Sequence, residues 1–427
     1  MNKKNIYALV WITTWCFVGM QSSCSSDEGD KTEELPLPTI TSINPLKGEV
    51  GDAITINGSN FSANATEVTV DFNGIKATEI FFSSVSQIST QVPAGATTGN
   101  ISVTIANQTV KGPFFTVEEK VVINNDQTPV NFKIAFIGDS EVDAAADAVL
   151  SLIKSEGTNV VVHSGDLGYD RNAPLIFENN VNAVLGEDFP YFYVVGNHDD
   201  HLWNISGGYQ QLLESRFKRL GIEWTGQLGV MSSFSYKGIF FVSSAPDEFG
   251  ITSTEAGNYI RDQLSGNSAI WRISFWHKNQ RLMQIGGKAD EAGWDVYEES
   301  RKGGAIIATA HEHSYSRTYE MSNFQTQTIS TTNNTVNLIK DNLATSDDEG
   351  RSFAFVSGLG GRSIRDGEAG LDLNPWWADV YHSNNGGQYG ALFGEFNYNG
   401  DAMLARFYFK DIDGAERDEF FVRSNLQ

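Results

Sequence analysis

Cysteine is almost missing from this chain: Cys16 and Cys24 are the only two among 427 residues. Both lie near the N-terminus, so no disulfide framework can brace the rest. Positive charge is scarce as well. Thirty Lys and Arg stand against 53 Asp and Glu, a formal net charge of −23, and a surface this acidic repels the phosphate backbone of a nucleic-acid polymer. Long apolar runs are confined to one place. Ile6–Met20 follows Lys3 and Lys4, falls short of a bilayer span, and reads as a signal peptide rather than an anchor. Histidine is rare at seven residues, which makes the placement of each one informative.

Small residues precede a cysteine in Gln21-Ser22-Ser23-Cys24. The pattern predicts lipoprotein processing over residues 1–24, with Cys24 acylated as the first mature residue and held in a lipid bilayer; Gln21 stands where Leu is usual. The plainer alternative is secretion with Cys24 as a free thiol. Since Cys16 leaves with the signal, Cys24 would then be the mature chain's sole cysteine. Residues 25–36 carry Asp27, Glu28, Asp30, Glu33 and Glu34; they cannot bury enough apolar surface to fold and read as an acidic tether. An acidic run directly after such a cysteine resembles the surface-export signal of Bacteroidetes lipoproteins, which implies an exported protein anchored at the outer membrane or cell surface.

Residues 37–119 change to Thr, Val, Ile, Asn and Gly, with Pro45, Gly51, Gly58, Gly74, Pro93, Gly99 and Gly112 punctuating short alternating runs. Strands at this spacing predict an all-β sandwich. Pro38-Thr-Ile-Thr-Ser-Ile-Asn-Pro45, Gly51-Asp-Ala-Ile-Thr-Ile-Asn-Gly58-Ser-Asn-Phe61 and Val92-Pro-Ala-Gly95 are similar to the immunoglobulin-like IPT/TIG domains. No cluster of His, Cys or carboxylates marks chemistry there, so a spacer or a protein or glycan contact module is expected. Residues 120–130 read as a linker.

From residue 131 to 427 the pattern is α/β. Asn131–Ile137, Asn159–Val162, Phe189–Val195, Trp271–Trp276 and Ala305–Thr309 are apolar runs rich in β-branched and aromatic residues, as strands buried on both faces require. Val142, Ala145, Ala146, Val149, Leu150 and Ile153 fall at helical spacing between the first two, and Gly157 follows as a stop signal. A βαβ unit results, and ligands then lie beyond the carboxyl ends of the strands. Just past those ends come Gly138-Asp139, Gly165-Asp166-Leu167-Gly168-Tyr169, Gly196-Asn197-His198-Asp199, His277 and His311-Glu312-His313. Two Asp, one Asn, one Tyr and three His delivered this way suit two closely spaced metal ions sharing a carboxylate.

Each block alone has a plainer reading. An isolated Gly-Asp after a strand is more often a turn or a helix N-cap, and a lone His such as His277 usually ends as a satisfied core residue. In order and together, the blocks outweigh those readings. His163, inside a strand run, stays a core or supporting residue; His201 and His382 carry no assignment. Trp376-Trp377 reads as an aromatic wall or as loop packing.

The blocks resemble the calcineurin-like metallophosphoesterases, and within them the purple acid phosphatases, from about Asn131 to the C-terminus. Two positions depart from the family pattern: Glu141 stands where the broader superfamily has His, and Ala310 where Gly is usual. The resemblance implies a double β-sheet sandwich flanked by helices. It implies one metal on Asp139, Asp166, Tyr169 and His313 and another on Asp166, Asn197, His277 and His311. Fe(III) is implied at the tyrosine-bearing position, where a hard phenolate donor favours it, with Zn, Mn or Fe(II) at the other. Tyr169 then supplies the ligand that the missing His would have given, leaving Glu141 outside the ligand set. His198 would face the leaving group with Asp199 orienting it, while Arg317, Arg362 and Arg171 are candidates for phosphate oxygens through the bidentate fork. The expected activity is hydrolysis of a small phosphorylated substrate by attack of a metal-held hydroxide, of the acid phosphatase, phosphomonoesterase type. The alternatives are a phosphodiesterase or nucleotidase with the same site, and a surface adhesion or glycan-binding protein whose phosphoesterase domain is vestigial. Intact ligand blocks count against the last.

Overall fold

The computed structural model describes residues 36–48, 50–117, 127–169, 173–342 and 348–425. The expected signal segment, Cys24, the tether through residue 35, most of the linker and Arg171 lie outside the described residues. Two compact units divide between Val122 and Ile123, and among the described residues no helix is long and apolar enough to cross a membrane.

The first unit is all β. Its strands alternate, so Ile54 and Ile56 of Ala53–Ser59 and Val68, Val70 and Phe72 of Val68–Phe72 turn inward while their neighbours face out. A four-stranded and a five-stranded sheet share one core that includes Ile54, Ile56, Phe72, Ile88, Ile101, Val103 and Phe115. An immunoglobulin-like sandwich is the result.

The second unit is mixed α/β. Its seven-stranded sheet places Phe132–Ile137, Val160–His163 and Tyr191–Tyr193 side by side and parallel, followed on the other edge by antiparallel strands from the C-terminal region. The eight-stranded sheet has a parallel centre of Ile239–Ser243, Trp271–Phe275, Ile306–Thr309 and Ala354–Ser357. Side chains from both sheets meet in one core, where Phe136 packs edge-on against Phe355 at 5.2 Å and stacks on Phe407 at 6.1 Å. Helices Ser253–Ser265 and Asp295–Lys302 bury Ala256, Ile260, Leu264, Val296 and Tyr297 against the other face of the second sheet. The helix expected after the first strand runs Ala144–Ser155; Asp143 caps it by accepting from the backbone N–H of Ala145 and Ala146. Buried fully on both faces, the parallel strands bring their carboxyl ends to one place.

Candidate metal centre

Five strand-end loops meet at those carboxyl ends. Backbone bonds lock the first two: Asp139 N–H donates to Gly165 O at 3.0 Å and Ser140 N–H to Asp166 O at 3.1 Å. Asp139 (φ 52°), Asp166 (φ 58°) and His311 (φ 70°) all take left-handed backbone, uncommon for residues other than glycine, and such conformations cluster at functional sites. Gly196 is required by proximity, since a Cβ there would lie 2.2 Å from Asp166 Oδ1. Ala310 is accommodated because it faces Gly138, where an added Cβ would come within 2.2 Å of the alanine methyl.

The converging side chains form two groups that share Asp166. His277 Nε2 lies 3.3 Å from Asp166 Oδ2 and 3.2 Å from Asn197 Oδ1, and His311 Nδ1 lies 3.0 Å from His277 Nε2. Ligand atoms of Asp166, His277 and His311 all fall within 4.8 Å of one another. On the other side, Tyr169 donates its hydroxyl to Asp166 Oδ2 at 3.2 Å, and His313 Nε2 lies 3.4 Å from Asp139 Oδ1. Each histidine has its second ring nitrogen held by an oxygen: Ser164 O for His277 (2.7 Å), Glu291 for His311 (2.8 Å) and Ser363 Oγ for His313 (3.0 Å). Fixing the outer nitrogen leaves the inner one to serve as a ligand.

The electrostatics call for a cation. Asp139 is fully buried, and neither of its carboxylate oxygens accepts a well-formed hydrogen bond; burial opposes its charge, and the His313 ring 3.4 Å away, with His277 behind it, holds the carboxyl below its ordinary range. Burial works against charge on His277, yet Asp166 and Asp139 raise it to about 9. Burial, offset in part by Glu291, lowers His311 to about 4, aided by the His277 charge. Burial first, then Asp139, Asp166 and Asp199, push the Tyr169 phenol far above its ordinary range. Carboxylate, imidazole, amide and phenol donors gathered around two buried carboxylates fit hard or borderline metal ions.

Of the remaining expected residues, His198 sits at the mouth, exposed, with its ring 4.3 Å from that of Tyr169 and its backbone N–H on Asp166 Oδ1 at 2.9 Å. Arg362 is there too: its guanidinium lies 4.3 Å from the Tyr169 ring centre and pairs with Glu141. Two expectations need correcting. Asp199 does not orient His198; fully buried, it accepts from the backbone N–H groups of Asp166 (2.8 Å), Leu167 (3.0 Å) and Gly196 (2.9 Å), and so ties the second and third loops together. Arg317 is absent from the group, because its guanidinium is buried, bidentate on Asp418 at 2.7 and 3.0 Å and stacked on Phe420. His163 is a buried core residue bonded to Ser140 Oγ at 3.0 Å, and burial lowers it to about 3. Trp376 and Trp377 are packing residues, each donating its indole N–H to a backbone carbonyl. Glu291 and Ser363 carry no sequence signal, since both lie in irregular loops with no motif around them.

The patch that holds Arg317 yields a pH expectation. Asp379, paired across the strands with Arg317, is pushed up to about 7 by burial and the nearby Asp418, against the pull of Arg317. A carboxyl whose folded value exceeds its unfolded value of about 3.9 binds its proton more tightly when folded. Its effect on stability is therefore absent below about pH 4 and grows unfavourable as pH rises toward 7. Asp379→Asn should shrink the fall in melting temperature between pH 5 and pH 8; an unchanged fall in the variant would contradict this.

Residues 38–117 match the IPT/TIG domain family and residues 132–315 the calcineurin-like phosphoesterase family. No curated protein sequence matches the chain. Among solved structures, the fold is similar to a purple acid phosphatase from yellow lupin (Lupinus luteus) seeds, with 15% identity, 90% of this chain and 74% of that one covered, and a TM-score of 0.50. PhoD aligns with 11% identity over 86% of this chain and 90% of its own at a TM-score of 0.39. An auxiliary nutrient binding protein from Bacteroides thetaiotaomicron aligns with 20% identity over 19% of this chain and 21% of its own at a TM-score of 0.19.

Proposed function

Given that residues 132–315 form a calcineurin-like phosphoesterase domain behind an IPT/TIG domain, we propose that this chain is an exported dinuclear phosphomonoesterase of purple-acid-phosphatase type. The observation that carries the reading is the convergence of two donor groups on the shared Asp166 carboxylate, with the fully buried Asp139 carboxylate facing His313 beside it. Asp139, Asp166, Tyr169 and His313 would hold one ion, Fe(III); Asp166, Asn197, His277 and His311 would hold the other, Zn, Mn or Fe(II). Two such ions supply positive charge to phosphoryl oxygens and make a bound water more acidic.

The protein's own groups do the rest. His198, exposed at the mouth, gives a proton to the departing oxygen of the ester. The Tyr169 ring beside it limits the directions its imidazole can take. Arg362 offers guanidinium N–H groups to phosphoryl oxygens from the same side. Asp199 keeps the Asp166 and Asn197 loops in register by its three backbone bonds. Cys24 would tether the enzyme to a membrane, and the IPT/TIG domain would act as spacer or as a protein or glycan contact.

Elemental analysis and an aryl phosphate assay test this together. Purified protein should contain close to two metals per chain and hydrolyse 4-nitrophenyl phosphate; full activity in metal-free protein would sink the proposal. Phenolate bound to Fe(III) absorbs visible light, because its filled π orbital lies close in energy to the iron d orbitals. Aerobically purified protein that contains iron should therefore be coloured, and Tyr169→Phe should bleach it. A colourless iron-loaded protein would remove Tyr169 from the ligand set.

A further inference from the structure

Two cations flank the tripeptide His311-Glu312-His313 without serving the groups described so far. Lys288 donates its ammonium to the carbonyl oxygen of His311. Arg365 donates its backbone N–H to His313 O at 3.0 Å, and its guanidinium lies 3.6 Å from Glu312 Oε2. Neither position is accidental flexibility. Arg281 bonds Lys288 O at 3.1 Å and Glu368 at 3.0 Å, Glu368 N–H returns to Ile285 O at 2.8 Å, and Glu291 grips His311.

The charges between them do not balance. Glu312 is the one carboxylate placed against both, and among the described residues Lys288 forms no ion pair of its own. An ammonium has three donors and a guanidinium five, so most of their hydrogen-bonding capacity is open. Arg365 is also 41% exposed. In a chain of net charge −23, two cations with spare donors stand at this edge, and Asp139, Asp166, Glu312 and Glu291 all lie within electrostatic reach of Lys288. His311 and His313 turn toward those carboxylates while Glu312, between them, turns toward the cations. The cation pair thus stands one residue to the side of the metal ligands.

Resting on the phosphoesterase reading above, we propose that Lys288 and Arg365 form an anion-binding subsite that selects phosphomonoesters carrying a second negative group, phosphate or carboxylate, near the scissile phosphate. The subsite raises affinity for such substrates and leaves chemistry at phosphorus to the metal centre.

The test uses the full, metal-loaded protein with 4-nitrophenyl phosphate, a phosphorylated hydroxy acid and a sugar bisphosphate, and compares Lys288→Gln, Arg365→Gln and the double variant. For whichever doubly anionic substrate the wild type prefers, the ratio of kcat/KM to that for 4-nitrophenyl phosphate should fall about tenfold or more in the double variant, chiefly through KM, as expected for losing charge-assisted bonds. Lys288→Arg, which keeps the charge, should retain most of the preference. Preference for the acid or for the bisphosphate identifies the second group as carboxylate or phosphate. Equal losses on all three substrates, or an unchanged ratio, would overturn the subsite. Calorimetry with inorganic pyrophosphate against phosphate gives a readout independent of turnover, and the pyrophosphate preference should drop by the same order. Wild-type protein that hydrolyses none of the substrates sinks the phosphoesterase reading, and the pyrophosphate comparison then decides the subsite by itself.

Discussion

Asp166→Asn should leave a folded protein that retains neither its full metal content nor its hydrolytic activity. Asp166 is the carboxylate that reaches both groups: Oδ2 faces Tyr169 and His277, while Oδ1 accepts the His198 N–H. The amide keeps the size of the side chain, and asparagine tolerates the left-handed backbone at φ 58°, so the fold has little reason to fail. What disappears is the negative charge on which two cations would depend. Turnover of 4-nitrophenyl phosphate should fall by about 10³-fold or more, equivalent to losing several kcal/mol of charge stabilisation. Elemental analysis after dialysis against metal-free buffer checks the first half and steady-state kinetics the second. A variant with two metals and wild-type turnover would show that Asp166 does not bridge.

His198→Ala should lower turnover by about 10²–10⁴, the usual scale for a proton donor, with both metals retained. The loss should be greater for an alkyl phosphate than for 4-nitrophenyl phosphate, because an alkoxide needs the proton that a nitrophenolate can do without. His198 contributes its backbone N–H to Asp166, and alanine preserves that bond. If the variant instead loses a metal, His198 is a ligand and the division of roles between it and Asn197 is wrong. Equal losses on both substrates would point to substrate placement rather than proton transfer.

Much of this arrangement is legible in the sequence because strand ends are. An apolar run such as Val160–Val162 buried on both faces has one way to sit in a parallel sheet, and whatever follows it, here Gly165-Asp166, must emerge at the carboxyl edge. The same logic delivers His277 and His311. It fails where a residue's partner is set by tertiary packing instead. Asp199 follows His198 in the chain, yet its carboxylate turns into the protein to collect three N–H groups that no linear pattern reveals. Arg317 looks like a phosphate ligand because it follows the last histidine block, but it lies within a strand, and Asp418, about a hundred residues on, claims its guanidinium. Glu291 and Ser363 are invisible for a related reason, since a loop carboxylate or hydroxyl gains meaning only from the imidazole it happens to meet.

The convergence of buried donors on Asp139 and Asp166 ties the lifetime of this protein to its surroundings. An ion that binds the folded donor set and not the unfolded chain stabilises the fold, and by mass action each tenfold rise in free ion above its dissociation constant adds about 1.4 kcal/mol to the native state. Where ion supply fluctuates, the same residues that prepare the catalyst would also report starvation: chains that stay empty would open more often, and proteases would remove them before those that are loaded.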